Sequence, residues 1–109
     1  MLEGLFGNST AEKVLLYIVN YGEGHTSGIA ETFEISKSQV RKQLLRLEAE
    51  GLLVAQQKGN LRLFKINPRL PYGKELEQLV KKALSLLPRN EIEKYYRQRQ
   101  RPRRTGKPL

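Results

Sequence analysis

Apolar positions recur with a helical period in the stretch that follows Ser36. Val40, Leu44 and Leu47 are spaced by four and then three residues, which places them on one side of a helix. The other side carries long cations and amides, which suit phosphates and base edges. Ser36 can cap this helix through its hydroxyl, and Gly51 can end it because glycine readily adopts the left-handed conformation. The pattern therefore predicts a helix between these two residues.

Two short strands are predicted directly after this helix. Residues 52–55 and 61–66 are rich in leucine, valine and other apolar residues, and residues 56–60 between them are polar and contain a glycine. This arrangement predicts a small antiparallel hairpin with a polar tip.

Two further helices are predicted ahead of this unit. Residues 9–20 begin with Ser9 and Glu12, which fit a capping box, and residues 26–33 begin with Thr26 as the cap. Residues 21–24 are predicted to form the turn between these helices. Their apolar faces consist of Val14, Leu15, Ile18 and Val19 in the first helix and of Ile29, Ala30 and Phe33 in the second.

A long helix is predicted over residues 72–87, after two prolines that end the second strand. Its apolar stripe is wider than one helix on a small domain normally needs. The stripe either closes the core of the domain or forms a homodimer interface, and we expect the interface to contain Leu76, Leu79, Val80, Ala83, Leu86 and Leu87. A last helix is predicted over residues 90–99, anchored by Ile92, Tyr95 and Tyr96.

The run ISKSQVRKQLLRLEAEGLLV and the following hairpin, which ends in FKINP, carry a family resemblance. They resemble the recognition helix and wing of a winged helix-turn-helix repressor and are similar to the ArsR-like group. The group's pattern is a Ser-x-Ser-x-Val start, a Leu-x-x-Leu core and a Gly-Leu-Val exit, and here it falls on Ser36, Ser38, Val40, Leu44, Leu47, Gly51, Leu52 and Leu53. Similar winged-helix segments occur beside small nucleotidyltransferase domains.

The resemblance covers residues 9–67 and implies a mainly α fold with a small β-hairpin. The expected architecture is a winged helix-turn-helix with a C-terminal helical extension. We expect a winged domain over residues 1–67, C-terminal helices over residues 68–96, and a basic, disordered tail over residues 97–109.

The positive charge of the chain is unevenly distributed. The 109 residues carry a net charge of +9, but 14 cations against 11 acids leave only +3 over residues 1–96. The pI of the whole chain therefore does not by itself indicate a DNA-binding core. The remaining six cations occur without any acid: Arg97, Arg99, Arg101, Arg103, Arg104 and Lys107. This tail could be a solvated segment, a phosphate-binding arm or a contact for an acidic protein partner.

Cysteine and histidine usage limits the chemistry of the chain. It has no Cys and one His, His25, so it lacks the ligands for a soft metal, and no metal or other cofactor is expected. The absence of Cys fits a reducing cytoplasm. No apolar run approaches the roughly 20 residues that a membrane span requires. The chain also has no Asp and no phosphate-cradling glycine motif, so no catalytic residues are assigned and an enzyme is not expected.

Cations crowd the N-terminal half of the predicted recognition helix, where they oppose the helix dipole and therefore do not serve folding. In helix-turn-helix proteins this end of the helix meets the base edges. We expect Gln39 and Arg41 to read bases and Lys42 and Arg46 to contact phosphates. Thr26 and Ser27 either hold a phosphate or simply cap their helix. The remaining expected DNA contacts are Ser36, Lys37 and Ser38 on the helix and Lys58, Asn60 and Arg62 on the wing.

These observations predict a sequence-specific double-stranded DNA-binding transcriptional regulator that acts as a homodimeric repressor. Two other classes of function remain open from the sequence. One is a protein-interaction module, such as an antitoxin-like partner of a nucleotidyltransferase. The other is a general nucleic-acid binder that depends on the basic tail.

Overall fold

The computed structural model describes residues 1–98, and the prediction of a disordered tail lies largely outside this range. The described part is mostly helical with one antiparallel hairpin, which confirms the predicted fold class. In chain order its elements are α1 (Glu3–Phe6), α2 (Ser9–Tyr21), α3 (Thr26–Phe33), α4 (Lys37–Ala49), β1 (Leu53–Lys58), β2 (Leu61–Ile66), α5 (Gly73–Ser85) and α6 (Arg89–Tyr95).

The boundaries of α4 are those that its local sequence predicts. The hydroxyl of Ser36 accepts a hydrogen bond from the backbone N–H of Gln39 at 3.1 Å. At the other end Gly51 has a φ of 84°, and the N–H of Leu52 donates to the carbonyl of Leu47 at 3.0 Å. Both the serine cap and the glycine stop are therefore confirmed.

The turn between α3 and α4 is closed by a residue other than glycine. Glu34 takes the left-handed conformation with a φ of 57°, and the N–H of Ile35 donates to the carbonyl of Ala30 at 3.1 Å. This short connection forms the helix-turn-helix and directs the N-terminus of α4 away from α3.

The hairpin is longer than predicted, and a third segment of the chain pairs with its edge. β1 extends to Lys58, so only Gly59 and Asn60 form the turn. The prediction that the turn begins at residue 56 is therefore wrong. On the other edge Gly24, expected in a turn, pairs with Phe64 through N–H to carbonyl hydrogen bonds of 3.0 and 2.8 Å.

Two predicted helix caps are replaced by neighbouring residues. Asn8, not Ser9, caps α2 by accepting the N–H of Ala11 at 2.8 Å. Glu12 turns instead to the N-terminal segment, where its carboxylate accepts the N–H of Leu2 at 2.9 Å. Thr26 is the first residue of α3 rather than its cap, because the cap position belongs to His25.

α5 packs against α2 and closes the core of the protomer. Its side chains Leu76, Val80 and Ala83 are buried there, so the prediction that these three form a homodimer interface is wrong. Leu79 and Leu86 are 40% and 59% exposed. Leu87 is half-buried against the same core. None of the helices within residues 1–98 is long and apolar enough to cross a membrane.

α6 is shorter than predicted, since it ends at Tyr95. Tyr96 is buried, and its ring centroid lies 5.9 Å from that of Phe33 on α3. The chain then continues across α2 and α3 through residues 96–98. These residues, together with Tyr95 at the end of α6, are called the C-terminal strap.

Candidate nucleic-acid interface

One groove runs between the N-terminus of α3, the exposed face of α4 and the wing strand β2. It has a volume of about 640 Å³. Of its lining residues in the described chain, three are cationic and none is acidic, so the groove favours an anionic ligand. The lining residues are Thr26, Ser27, Lys37, Ser38, Arg41, Leu45, Arg62 and Phe64.

The helical period of α4 decides which of its cations face this groove. Lys37 and Arg41 are one turn apart and lie in the groove, while the opposite face of α4 is buried in the core. Gln39 and Lys42 are exposed but do not line the groove. The structure therefore brings Arg41, but not Gln39, beside the wing.

Arg46 does not face the groove. Its Nε donates to Oε1 of Gln43 at 3.0 Å, and its Nη2 donates to the backbone carbonyl of Phe6 at 2.9 Å. The side chain is half-buried and joins α4 to the end of α1. Two of its donors therefore serve the fold, and the phosphate contact expected of Arg46 stays a prediction.

Arg62 is held in place at the wing side of the groove. Its Nη2 lies 2.7 Å from Oε2 of Glu48 on α4, and its guanidinium carbon lies 5.6 Å from the ring centroid of Phe64. The ion pair and the cation–π contact fix the guanidinium between helix and wing. Lys58 and Asn60 lie further out, exposed at the wing tip.

The N-terminus of α3 supplies the third side of the groove. Neither Thr26 nor another side chain caps it, whereas Ser36 caps α4. Backbone N–H groups at an uncapped helix N-terminus, together with the positive end of the helix dipole, form a ready site for phosphate. Thr26 and Ser27 are half-buried at this end and line the groove there.

Two apolar side chains in the groove were missed by the sequence reasoning. Leu45 is 44% exposed, whereas its neighbour Leu44 is fully buried. Phe64 is buried, with its ring beneath Arg62. The position of Leu45 one turn beyond Arg41 was the only signal in the sequence that it shares this face.

Several predicted features lie at the edge of this site or outside the described chain. Arg97 is exposed in the C-terminal strap. Arg99, Arg101, Arg103, Arg104 and Lys107 lie outside the described residues. Within residues 1–98 no cluster of three or more His, Cys or Glu side chains could hold a metal ion.

The helix-turn-helix, the hairpin and the third strand partner at Gly24 define a winged helix-turn-helix protein. The family model described as FaeA-like protein matches residues 10–64, and the chain belongs to this family of winged-helix regulators. No curated protein matches the chain.

Solved structures share the fold at low sequence identity. YusO from Bacillus subtilis is 20% identical, with a TM-score of 0.57 over 83% of this chain and 70% of that one. A mutant of ZitR from Lactococcus lactis in apo form is 22% identical, with a TM-score of 0.53 over 78% of this chain and 73% of that one.

Proposed function

We propose that this protein is a sequence-specific double-stranded DNA-binding transcriptional regulator that acts as a homodimeric repressor, similar to the ArsR-like group. The observation that carries the proposal is the groove in which the N-terminus of α3, the cations of α4 and Arg62 of the wing converge. It is a binding protein of the cytoplasm, where it has access to DNA, rather than an enzyme.

In this proposal each side of the groove has its own role. α4 enters the major groove with Arg41 directed at a base edge, where its guanidinium can make a bidentate contact to guanine. Lys37 and Ser38 lie at the N-terminal end of α4 and bind the adjoining backbone. The N-terminus of α3 and Arg62 of the wing bind phosphates on either side. Leu45 offers the apolar surface that suits a thymine methyl group.

The residues outside the groove have supporting roles in this proposal. Gln39 and Lys42 lie on the flank of α4, and Lys58 and Asn60 lie at the wing tip. Each reaches the sugar–phosphate backbone rather than the base edges. Ser36 contributes by capping α4 and so by fixing the end that enters the major groove.

A second copy of the chain is proposed to pack on an exposed apolar stripe that α5 and the residues at its two ends form. Tyr72, Leu79 and Leu86 are spaced by seven residues and are 52%, 40% and 59% exposed. Apolar side chains at this spacing form the seam of paired helices. A two-fold dimer would present its two α4 helices to successive half-sites about 34 Å apart, and occupation of such a site blocks transcription.

The experiment that tests the proposal begins with selection of binding sites from a random duplex pool. Arg41→Ala should then lower the ratio of cognate to scrambled affinity by about 10- to 100-fold, because a base contact is lost. Lys42→Ala also removes one exposed cation from α4, and it should lower the affinity for the cognate and the scrambled duplex by the same factor. Failure to enrich any sequence, or an unchanged ratio in Arg41→Ala, would contradict the proposal and favour a protein-interaction module.

A further inference from the structure

Leu45 is an exposed apolar side chain among the polar residues with which α4 lines the groove. It is 44% exposed, whereas Leu44 and Leu47 on the same helix are buried. Within residues 1–98 it belongs neither to the buried core nor to the half-buried apolar side chains that pack against that core. A lone exposed leucine is common on protein surfaces, and what distinguishes this one is its place in the groove.

Leu45 continues a row of side chains along α4. Lys37, Arg41 and Leu45 are spaced by four residues, so each lies about one helical turn beyond the last, and all three line the groove. Four residues of an α-helix rise by about 6 Å. Base pairs follow each other at about 3.4 Å along the duplex. Neighbouring members of the row therefore face base pairs one or two steps apart when α4 lies along the major groove.

Arg41 is free to bind a base edge. Its side chain is exposed, and among the residues that the structure describes no acid lies within ion-pair distance of its guanidinium. Arg62, in contrast, is held by Glu48 at 2.7 Å on the wing side of the same groove. Guanine presents two acceptors in the major groove, O6 and N7, which match the fork of a guanidinium. Guanine is therefore the base that suits Arg41.

The chemistry of Leu45 narrows its partner to one group of the DNA. A leucine side chain offers no hydrogen bond to a phosphate or to a polar base edge, and covering such a group without a hydrogen bond is costly. The apolar group that base edges present in the major groove is the C5-methyl of thymine. Contact between this methyl group and Leu45 removes both from water, which is favourable.

We propose that Arg41 and Leu45 read two neighbouring bases together: Arg41 binds a guanine, and Leu45 packs on the methyl group of a thymine one or two base pairs away. Leu45 is then a specificity-determining residue, although it has neither charge nor hydrogen-bonding groups. The inference rests on the proposed function and names the class of sequence that α4 selects.

The first test removes single methyl groups from the DNA. Each thymine of the duplex selected from the random pool is replaced in turn by deoxyuridine, which keeps the base pair and lacks only the C5-methyl. One thymine should be sensitive, with affinity about fourfold lower after its replacement, as expected for one buried methyl group. Replacement of the thymines that α4 does not contact is the control and should leave affinity unchanged.

A guanine should lie one or two base pairs from the sensitive thymine. Its replacement by 7-deazaguanine, which still pairs with cytosine but lacks the N7 acceptor, should also weaken binding.

The second test assigns the two contacts to the two side chains. Leu45→Ala should bind the thymine and deoxyuridine duplexes equally, and should still lose affinity for the 7-deazaguanine duplex. Arg41→Ala should show the opposite pattern. Leu5→Ala, a matched change at an exposed leucine of α1, should respond to both base changes as the wild-type protein does.

A conservative variant protects the second test against a folding defect. Leu45→Met keeps an apolar side chain of similar volume and should retain the dependence on the methyl group. The quantity measured is the ratio of affinities for two duplexes that differ by one methyl group. A general loss of stability would lower both affinities together and leave this ratio unchanged. Circular dichroism verifies that each variant is folded.

The outcomes separate this inference from the proposed function. Equal affinity of the wild-type protein for every deoxyuridine duplex, or a methyl dependence that persists in Leu45→Ala, would overturn the inference. A sensitive thymine with no guanine within two base pairs would do the same. In each of these cases a selected sequence whose recognition depends on Arg41 would still support the proposed function. Failure to enrich any sequence would overturn both.

Discussion

The guanidinium of Arg62 on the wing lies 2.7 Å from the carboxylate of Glu48 on the recognition helix α4. The two side chains are 54% and 28% exposed, so the pair stabilises the fold by no more than about 1 kcal/mol. Its main effect is to orient the wing: it fixes a cation of β2 against the C-terminal half of α4. The same pair places one acid next to the proposed phosphate contacts.

Changing Glu48 to Gln should strengthen binding to DNA of any sequence. The change releases Arg62 from its ion pair and removes a negative charge near the phosphates, so the plot of log affinity against log salt should steepen by about one unit. Arg62→Gln should weaken binding and flatten the plot. Anisotropy titrations with scrambled duplex measure both effects, and Glu50→Gln, an exposed acid just beyond α4, is the control. Equal effects of Glu48→Gln and Glu50→Gln would show that only net charge matters.

Arg46 should act on stability rather than on DNA recognition. Arg46→Gln removes the hydrogen bonds to the carbonyl of Phe6 and the amide of Gln43, and should lower the free energy of unfolding by about 1–3 kcal/mol. Urea denaturation measures this loss. The ratio of cognate to scrambled affinity should be unchanged at a temperature where the variant is folded. The control is Lys42→Gln, an exposed cation on the same helix, which should leave stability within about 0.5 kcal/mol.

A methyl group at Gly24 should destabilise the protein. A Cβ there would lie 2.9 Å from ring carbons of buried Tyr17 and 3.0 Å from Cδ1 of Ile29, too close for the packed core to accept. Gly24→Ala should lower the free energy of unfolding by about 1–3 kcal/mol. Gly4→Ala is the matched control, because nothing lies within 4 Å of its Cβ position. Equal stability of the two variants in urea would contradict the close approach of the third strand to α2.

The exposed stripe on α5 should hold two copies together. Leu79→Glu combined with Leu86→Glu should give a folded monomer, because paired carboxylates in an apolar seam are costly while both positions are exposed in the protomer. Sedimentation at tens of micromolar is the measurement. Lys81→Glu alters the net charge by the same two units on another face of α5 and should remain dimeric. A monomeric wild-type protein would refute the interface.

Alkaline pH should destabilise the protein through Tyr96. Burial, with smaller effects of Glu12 and Glu91, raises the pKa of its phenol above the ordinary value. The folded state therefore keeps a proton that the unfolded state releases above about pH 10, so stability is intact below that pH and declines as pH rises towards the folded-state pKa. The slope attributable to one such group is about 1.4 kcal/mol per pH unit.

Tyr96→Phe should remove this part of the alkaline loss. Urea unfolding at pH 9 and pH 10.5 measures the difference, and Tyr72→Phe, which alters an exposed tyrosine, is the control. Tyr21, whose pKa burial also raises, should leave a residual loss in Tyr96→Phe. An alkaline loss identical in wild-type protein and Tyr96→Phe would place the titrating group elsewhere.

Structural features that depend on hydrogen bonds between residues close in the chain could be predicted from the sequence. Ser36 caps α4 and Gly51 ends it because the hydrogen bonds involved join residues three to five positions apart. The strand over residues 61–66 has the predicted bounds for a similar reason, since its partner follows a tight turn. Within the candidate site, the cations at the N-terminus of α4 were also recognisable, because their unfavourable position near the helix dipole has no folding rationale.

Other features depended on partners that sequence order does not identify. Arginine commonly contacts phosphate, so the sequence suggested this role for Arg46. In the structure its guanidinium instead donates to the carbonyl of Phe6, 40 residues earlier in the chain. The sequence places Gly24 in a turn, whereas in the structure it pairs with Phe64 at the edge of the wing. Gln39 and Arg41 are equivalent in the sequence, and the packing of the wing against α4 determines which of them faces the groove.

The sequence by itself therefore determined the helix-turn-helix, the hairpin and the end of α4 that carries the cations. The tertiary structure alone decided which α5 leucines enter the core and which remain exposed. It also decided that the C-terminal strap returns to α2 and α3. The physical reason is the range of the interactions: capping and turn bonds span a few residues, whereas burial and long-range hydrogen bonds depend on which surfaces meet when the chain is folded.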